Sequence, residues 1–146
     1  MKPQETVCFN IKYAWHAISR MYNEKASRHG STAAVGFILL QIDAKEGTSA
    51  TQVGPALGME PTSLSRVLKH MEEDGLIERR SDQQDKRMVR IYLTDAGKER
   101  REIARHFVLN FNEAVRDRIS DKELQTFFEV LGHIRTIIDE KNTSLT

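Results

Sequence analysis

The tightest constraint on this chain is a joint of only a few residues between two helix signals. The first signal, "TSATQVGPALG", opens at Ser49, where Gln52 three residues on predicts a capping box, and closes at Gly58. Pro55 falls beyond its first turn and is expected to distort it. The second signal starts at Pro61, a residue suited to the first turn of a helix, and stops at Gly75. Helices joined this closely cannot lie antiparallel along much of their length, so they pack as a helix-turn-helix. In the second helix Leu64, Val67, Leu68 and Met71 recur at i, i+3, i+4 and i+7, one buried stripe. The opposite face carries Thr62, Ser63, Ser65, Arg66, Lys69 and His70, with the acids Glu72, Glu73 and Asp74 held at its far end.

Past Gly75, "LIERR" and "MVRIYLT" flank the polar loop "SDQQDKR". Val89, Ile91 and Leu93 alternate with Met88, Arg90 and Tyr92, and period two beside a polar loop predicts a β-hairpin. A helix-turn-helix that runs straight into a charged hairpin is a winged helix.

Long helices are predicted on either side. One runs from about Thr6 to His29, with Ile11, Ala14, Trp15, Ile18 and Tyr22 at helical spacing and Gly30 as its stop. A second, capped by Ser31 or Thr32 and ended by Gly47, is apolar most of the way round and belongs at the centre of the core. After the hairpin, Thr94 begins a helix through roughly Arg118, with Ile103, Phe107, Phe111 and Ala114 or Val115 on one face. Ser120 to Glu123 is a capping box opening a last helix with Leu124, Phe127, Phe128, Leu131, Ile134 and Ile138, and the tail after Lys141 should fray. The expected fold is mainly α with a small β-hairpin, a single domain over 1–146. Its winged helix covers about 31–94, flanked by N- and C-terminal dimerisation helices at 5–30 and 95–141. Three prolines and eight glycines are too few for a disordered or turn-rich all-β chain.

Bulk charge does not announce a polyanionic partner, since the formal net charge is +1. Even Pro61 to Leu93 holds seven basic and six acidic residues, so position must decide. A helix entering the DNA major groove needs short side chains at its N-terminal end and longer donors behind them. Thr62, Ser63 and Ser65 meet the first need; Arg66, Lys69 and His70 meet the second. Arg66 suits bidentate contact with guanine and Lys69 a phosphate. Arg79, Arg80, Lys86, Arg87 and Arg90 follow in the hairpin. Arg87, beside Lys86 at the loop tip, is placed to enter the minor groove, while Asp85 fixes the loop or orients a neighbouring arginine. One such helix face alone reads as solvated surface; the hairpin directly behind it turns the reading toward DNA.

The run "LSRVLKHMEEDGLIERRSDQQDKRMVRIYLTDAGKE" resembles the core of the multiple-antibiotic-resistance regulator (MarR) family. Its marks are a recognition helix ending in Glu-Asp-Gly-Leu-Ile, a wing with D-x-R at Asp85 to Arg87, and "LTDAG" entering the next long helix. The resemblance implies a homodimer held by its terminal helices, with each winged helix on half of a near-palindromic double-stranded operator. It implies a transcription regulator, a repressor whose DNA affinity falls on binding a small aromatic or phenolic effector. The family's effectors bind between the dimer helices and the winged helix, where Trp15, His16, Tyr22 and Phe37 are candidates, though such residues at helical spacing also build cores. Leftover apolar stripes on the terminal helices argue for the dimer independently. The alternative is a winged-helix protein-interaction module without DNA binding.

Other chemistry finds little support. Cys8 stands near a tyrosine, as in a hydroperoxide-sensing branch of that family, but Tyr13 is five residues on and Cys8 sits about a turn early, which favours an unreactive thiol. A single cysteine forms no internal disulfide and fits a reducing cytosol. The five histidines are scattered without metal-site spacing, and no phosphate loop or nucleophile motif is present, so neither metal, cofactor nor enzymatic activity is expected. No apolar run reaches the length of a membrane span.

Overall fold

The computed structural model describes residues 1–144. A 3-10 turn at Pro3–Glu5 leads into α1 (Val7–Ser27), where the N-cap Thr6 hydroxyl accepts from Phe9 N at 3.3 Å. Helix α2 (Ala33–Gln41) is capped by Thr32, and Ala33 N donates to Asn23 Oδ1 at 2.9 Å, stitching α2 to α1. Contrary to the sequence expectation, α2 stops at Gln41 instead of continuing to Gly47. The cause is local: the Asp43 carboxylate accepts from the N–H groups of Lys45 and Glu46, both at 2.8 Å, a turn that competes with further helix.

The released segment forms a strand that the sequence did not announce. Gly47, at φ +67°, turns the chain into β1 (Thr48–Ser49), which pairs antiparallel with β3 (Val89–Leu93). A side chain at Gly47 would bring its Cβ to 2.6 Å from Ile91 O, so the close approach itself requires glycine. With β2 (Ile77–Ser81) on the other side of β3, the predicted hairpin becomes a three-stranded sheet ordered β1-β3-β2.

Helix α3 (Ala50–Leu57) begins at Ser49 as expected, but the capping box does not form. Ser49 is buried, and its hydroxyl pairs with that of Thr51 at 2.9 Å instead of capping the backbone. Pro55 sits inside α3 without ending it; the residue before it is Gly54, which has no Cβ to clash with the proline ring. Helix α4 (Pro61–Glu73) follows after three residues.

Ten residues form the core: Ile38, Leu39 and Ile42 of the α2 segment, Val53, the α4 stripe Leu64, Leu68 and Met71, then Leu76, Ile77 and Ile91. Ile38 and Leu39 have no exposed surface, so α2 is central as its composition required. Burying a side chain of this size contributes about 1.5–3 kcal/mol, which makes the α4 stripe the chief anchor of that helix's orientation.

Helix α5 (Asp95–Arg116) starts in a fixed geometry. Thr94 Oγ1 donates to Gly75 O at 2.6 Å and accepts from Gly97 N at 3.0 Å, while Thr94 N donates to Leu76 O at 3.1 Å. Two compact units result, Met1–Phe107 and Val108 onward, with the division inside α5. In the second unit α6 (Asp121–Ser144) opens on the predicted capping box: Glu123 N donates to Ser120 Oγ at 3.3 Å, and Ser120 N to Glu123 Oε2 at 3.0 Å. Leu124 is buried, whereas Phe127 and Phe128 stand open.

Candidate nucleic-acid interface

Helix α4 divides cleanly by face. Leu64, Leu68 and Met71 are buried and Val67 is half-buried, while Thr62, Ser63, Ser65, Arg66, Lys69 and His70 are all exposed. Its first intrahelical bond runs from Leu64 N to Glu60 O at 3.0 Å, and Pro61 has no N–H. The N–H groups of Thr62 and Ser63 therefore precede the helical ladder, beside short hydroxyls, at the positive end of the helix dipole. The opposite end is internally compensated: His70 Nδ1 lies 3.5 Å from Glu73 Oε2, and Arg79 Nε lies 3.5 Å from Glu72 Oε2. His70, expected with the groove-facing donors, thus already has a partner on its own helix.

The hairpin sorts its cations in the same way. Arg80 pairs with Glu78 at 2.6 Å and covers the Tyr92 ring, 4.8 Å from its centroid. Arg90 is drawn inward, donating from Nε to Glu46 O at 2.7 Å and from Nη2 to Gly47 O at 3.3 Å, with Nη1 3.4 Å from Asp82 Oδ2. Of the basic residues of α4 and the hairpin, Arg66, Lys69, Lys86 and Arg87 remain exposed and outside every ion pair.

The wing loop is shaped by two carboxylates. Asp85 Oδ1 accepts from Arg87 N at 3.0 Å, so this residue acts on the backbone of the arginine and not on its guanidinium. Asp82 Oδ1 accepts from Gln84 N at 2.8 Å and Asp85 N at 3.1 Å. Those amides, Gln84 first, together with the Arg90 charge, hold the Asp82 carboxyl below its ordinary range. Asp82 and Arg90 were missed by the sequence reading as organising residues. An Asp directly after a strand was the available signal for the loop, because it forms such turns readily. Nothing in the sequence marked the Arg90 contacts, since they depend on the unannounced β1 turn.

This geometry offers exposed cations and free N–H groups to a polyanion. Among the described residues no His, Cys, Asp and Glu cluster could hold a metal ion, and no helix is long and apolar enough to cross a membrane.

Residues 32–89 match the model of the MarR family. The HTH-type transcriptional regulator MgrA of Staphylococcus aureus is 27% identical over 140 residues, spanning 94% of this chain and 92% of its own. In its helix-turn-helix and wing the chain is thus similar to the MarR family. The HTH-type transcriptional regulator TtmR of Methylorubrum extorquens is 34% identical over 92 residues, 63% of this chain; the match spans about half of that relative's length, 47%. In fold, the chain is similar to MepR in the S. aureus MepR–DNA complex, with a TM-score of 0.82 at 19% identity over 94% of this chain and 99% of that one.

The four candidate effector residues do not all meet. Trp15 and Phe37 lie with ring centroids 5.8 Å apart and line an open cleft of about 490 Å³ with Leu57 and Met59. Tyr22 is buried behind them, edge-on to Phe37 at 5.5 Å, and its desolvation pushes its phenol pKa up. His16 lies elsewhere, on a polar groove with Arg20 and Glu24.

Proposed function

We propose that this chain is a dimeric, sequence-specific DNA-binding transcription regulator of the MarR family and of the cytoplasm, acting as a repressor whose DNA affinity a small aromatic ligand modulates. The carrying observation is the sorting of cations: Arg66, Lys69, Lys86 and Arg87 are left exposed and unpaired, while neighbouring basic residues are engaged within the protein. Arg66 and Lys69 follow the free N-terminus of α4, and the latter two occupy the braced wing loop. In this reading Thr62, Ser63, Ser65 and Arg66 face base edges, Lys69 meets phosphate, and Arg87 with Lys86 tracks the minor groove. The relatives' names as transcriptional regulators and the MepR–DNA structure support it.

Dimerisation is supported by the exposed apolar residues Val7, Ile11, Phe127, Phe128, Ile137 and Ile138 of the terminal helices. A two-fold dimer would set its recognition helices about 34–36 Å apart, one turn of DNA. Ligand modulation is supported by the Trp15–Phe37 cleft, whose apolar walls suit an aromatic ring.

The test is the salt dependence of binding to a labelled mixed-sequence duplex. Each phosphate neutralised contributes about −0.9 to the slope of log affinity against log salt, so a steep fall is expected. Arg66→Ala should relax base preference in a randomised pool, and Arg87→Ala should weaken all sequences alike. Binding that is absent or indifferent to salt would favour the protein-partner alternative. Neutrality of both variants would overturn the site assignment.

A further inference from the structure

Arg90 is basic and lies in the wing, yet its guanidinium is engaged by acceptors within the protein. One guanidinium reaches acceptors on two segments: the Glu46 and Gly47 carbonyls before β1, 44 and 43 residues away, and Asp82 directly after β2. Asp82 in turn holds the N–H groups of Gln84 and Asp85, and Asp82 N donates to Met88 O at 2.9 Å across the loop. The chain of contacts thus leads from the turn after α2, through Arg90 and Asp82, to the loop that carries Lys86 and Arg87. Register makes the arrangement costly as well: Arg90 stands directly opposite Arg80, and like charges so placed on paired strands repel. Each is drawn aside, Arg80 by Glu78 and Tyr92, Arg90 by Asp82 and the two carbonyls.

We propose that Arg90 is a positioning residue for DNA binding: it never meets DNA, and it fixes the angle of the wing against the β1 turn so that Arg87 and Lys86 arrive at the groove ordered. This rests on the DNA-binding reading above. The planar fork matters more than the charge, because three N–H directions must be met at once. Asp82 is the second half of the device and acts through the loop backbone.

Two substitutions separate this role from simple electrostatics. Arg90→Lys keeps the charge and loses the fork. Asp82→Asn removes a negative charge from the wing, so a purely electrostatic account expects tighter DNA binding, whereas a brace expects weaker binding. Both variants should weaken a mixed-sequence duplex by roughly tenfold, the loss expected from one or two charge-assisted hydrogen bonds. Hydrogen exchange at the amides of Gln84 and Asp85 should quicken in both, with those of Ile38 and Leu39 unchanged as evidence of an intact core. In the Arg87→Ala background, Asp82→Asn should have almost no further effect on affinity, since there is then little left to position.

Unchanged or tighter binding by Asp82→Asn, with Arg87→Ala still weak, would overturn the brace and leave the DNA-binding reading standing. Full retention of affinity by Arg90→Lys would do the same. If Arg87→Ala itself binds normally, the wing reading fails and takes the positioning role with it.

Discussion

Substituting Gly97 with alanine tests the joint between the sheet and α5. Gly97 is buried in the first turn of α5, directly over the backbone of Leu76. A Cβ there would overlap Leu76 O outright and lie 3.0 Å from Leu76 C, so the helix start would have to back away by about 1 Å to reach ordinary contact. Three hydrogen bonds converge on that spot: Thr94 N to Leu76 O at 3.1 Å, Thr94 Oγ1 to Gly75 O at 2.6 Å, and Gly97 N to Thr94 Oγ1 at 3.0 Å. At about 1 kcal/mol each, their disruption costs about 3 kcal/mol. Alanine's better helix propensity returns about 1 kcal/mol. The net expectation is a loss of about 2 kcal/mol, or a fall in Tm of about 4–8 °C for a chain of this length. Urea unfolding followed by circular dichroism, at fixed protein concentration and with the slope compared to wild type, measures it directly. A Gly97→Ala protein as stable as the parent would show that the joint is soft and that helix propensity alone governs the position.

Three further outcomes are expected. Ending the chain after Ile119 removes α6 and should leave a monomer or an aggregate without DNA binding, which sedimentation and a gel-shift assay check; a soluble, tightly binding truncation would refute the dimer proposal. Backbone N–H bonds hold the carboxyls of Asp43 (Glu46 N first) and Asp82 (Gln84 N first) below their ordinary range. Their folded pKa values are depressed, so their contribution to stability is complete above the unfolded value of about 3.9 and is lost as pH falls through the folded one. The amide resonances of Glu46 and Gln84 should accordingly titrate with midpoints below about 3.9; midpoints at or above that value would contradict the assigned bonds. Trp15 is the chain's one tryptophan, so a small phenol that enters the cleft should quench the intrinsic fluorescence. Phe37→Ala should then weaken the quenching titration by roughly tenfold, given the loss of an aromatic partner, and an unchanged midpoint would place the ligand elsewhere.

What the sequence could reveal depended on how far each signal reached along the chain. Helix α4 was legible because its stripe and its polar face are written within one amphipathic period, and Ser120 with Glu123 named a cap that does form. "LTDAG" marked the start of α5 correctly, although the reason for its glycine, the backbone of Leu76, lies twenty-one residues earlier. Strand β1 was invisible because two residues cannot display an alternation. The end of α2 was misplaced because Ile42 continues the apolar run into the core, while Asp43 silently closes a turn behind it. Ser49 and Gln52 had capping-box spacing, but burial turned the serine hydroxyl toward Thr51. At the candidate interface the residue types were plain and their engagement was not: only the fold distinguishes Arg87, left open, from Arg90, forty-four residues away from the carbonyl it binds.

The strand order β1-β3-β2 has a consequence for the protein's behaviour at high concentration. With β3 paired on both sides, β2 is the longer of the two outer strands, and its outer row of backbone donors and acceptors could template pairing with another molecule. Four of its five residues are exposed, and three of those, Glu78, Arg79 and Arg80, are charged. A second β2 approaching antiparallel would have to bring these ionic side chains close together and give up their existing partners. Replacing Glu78 and Arg80 by valine and threonine would remove that barrier, and light scattering should register the change as self-association even where the unfolding transition has not moved.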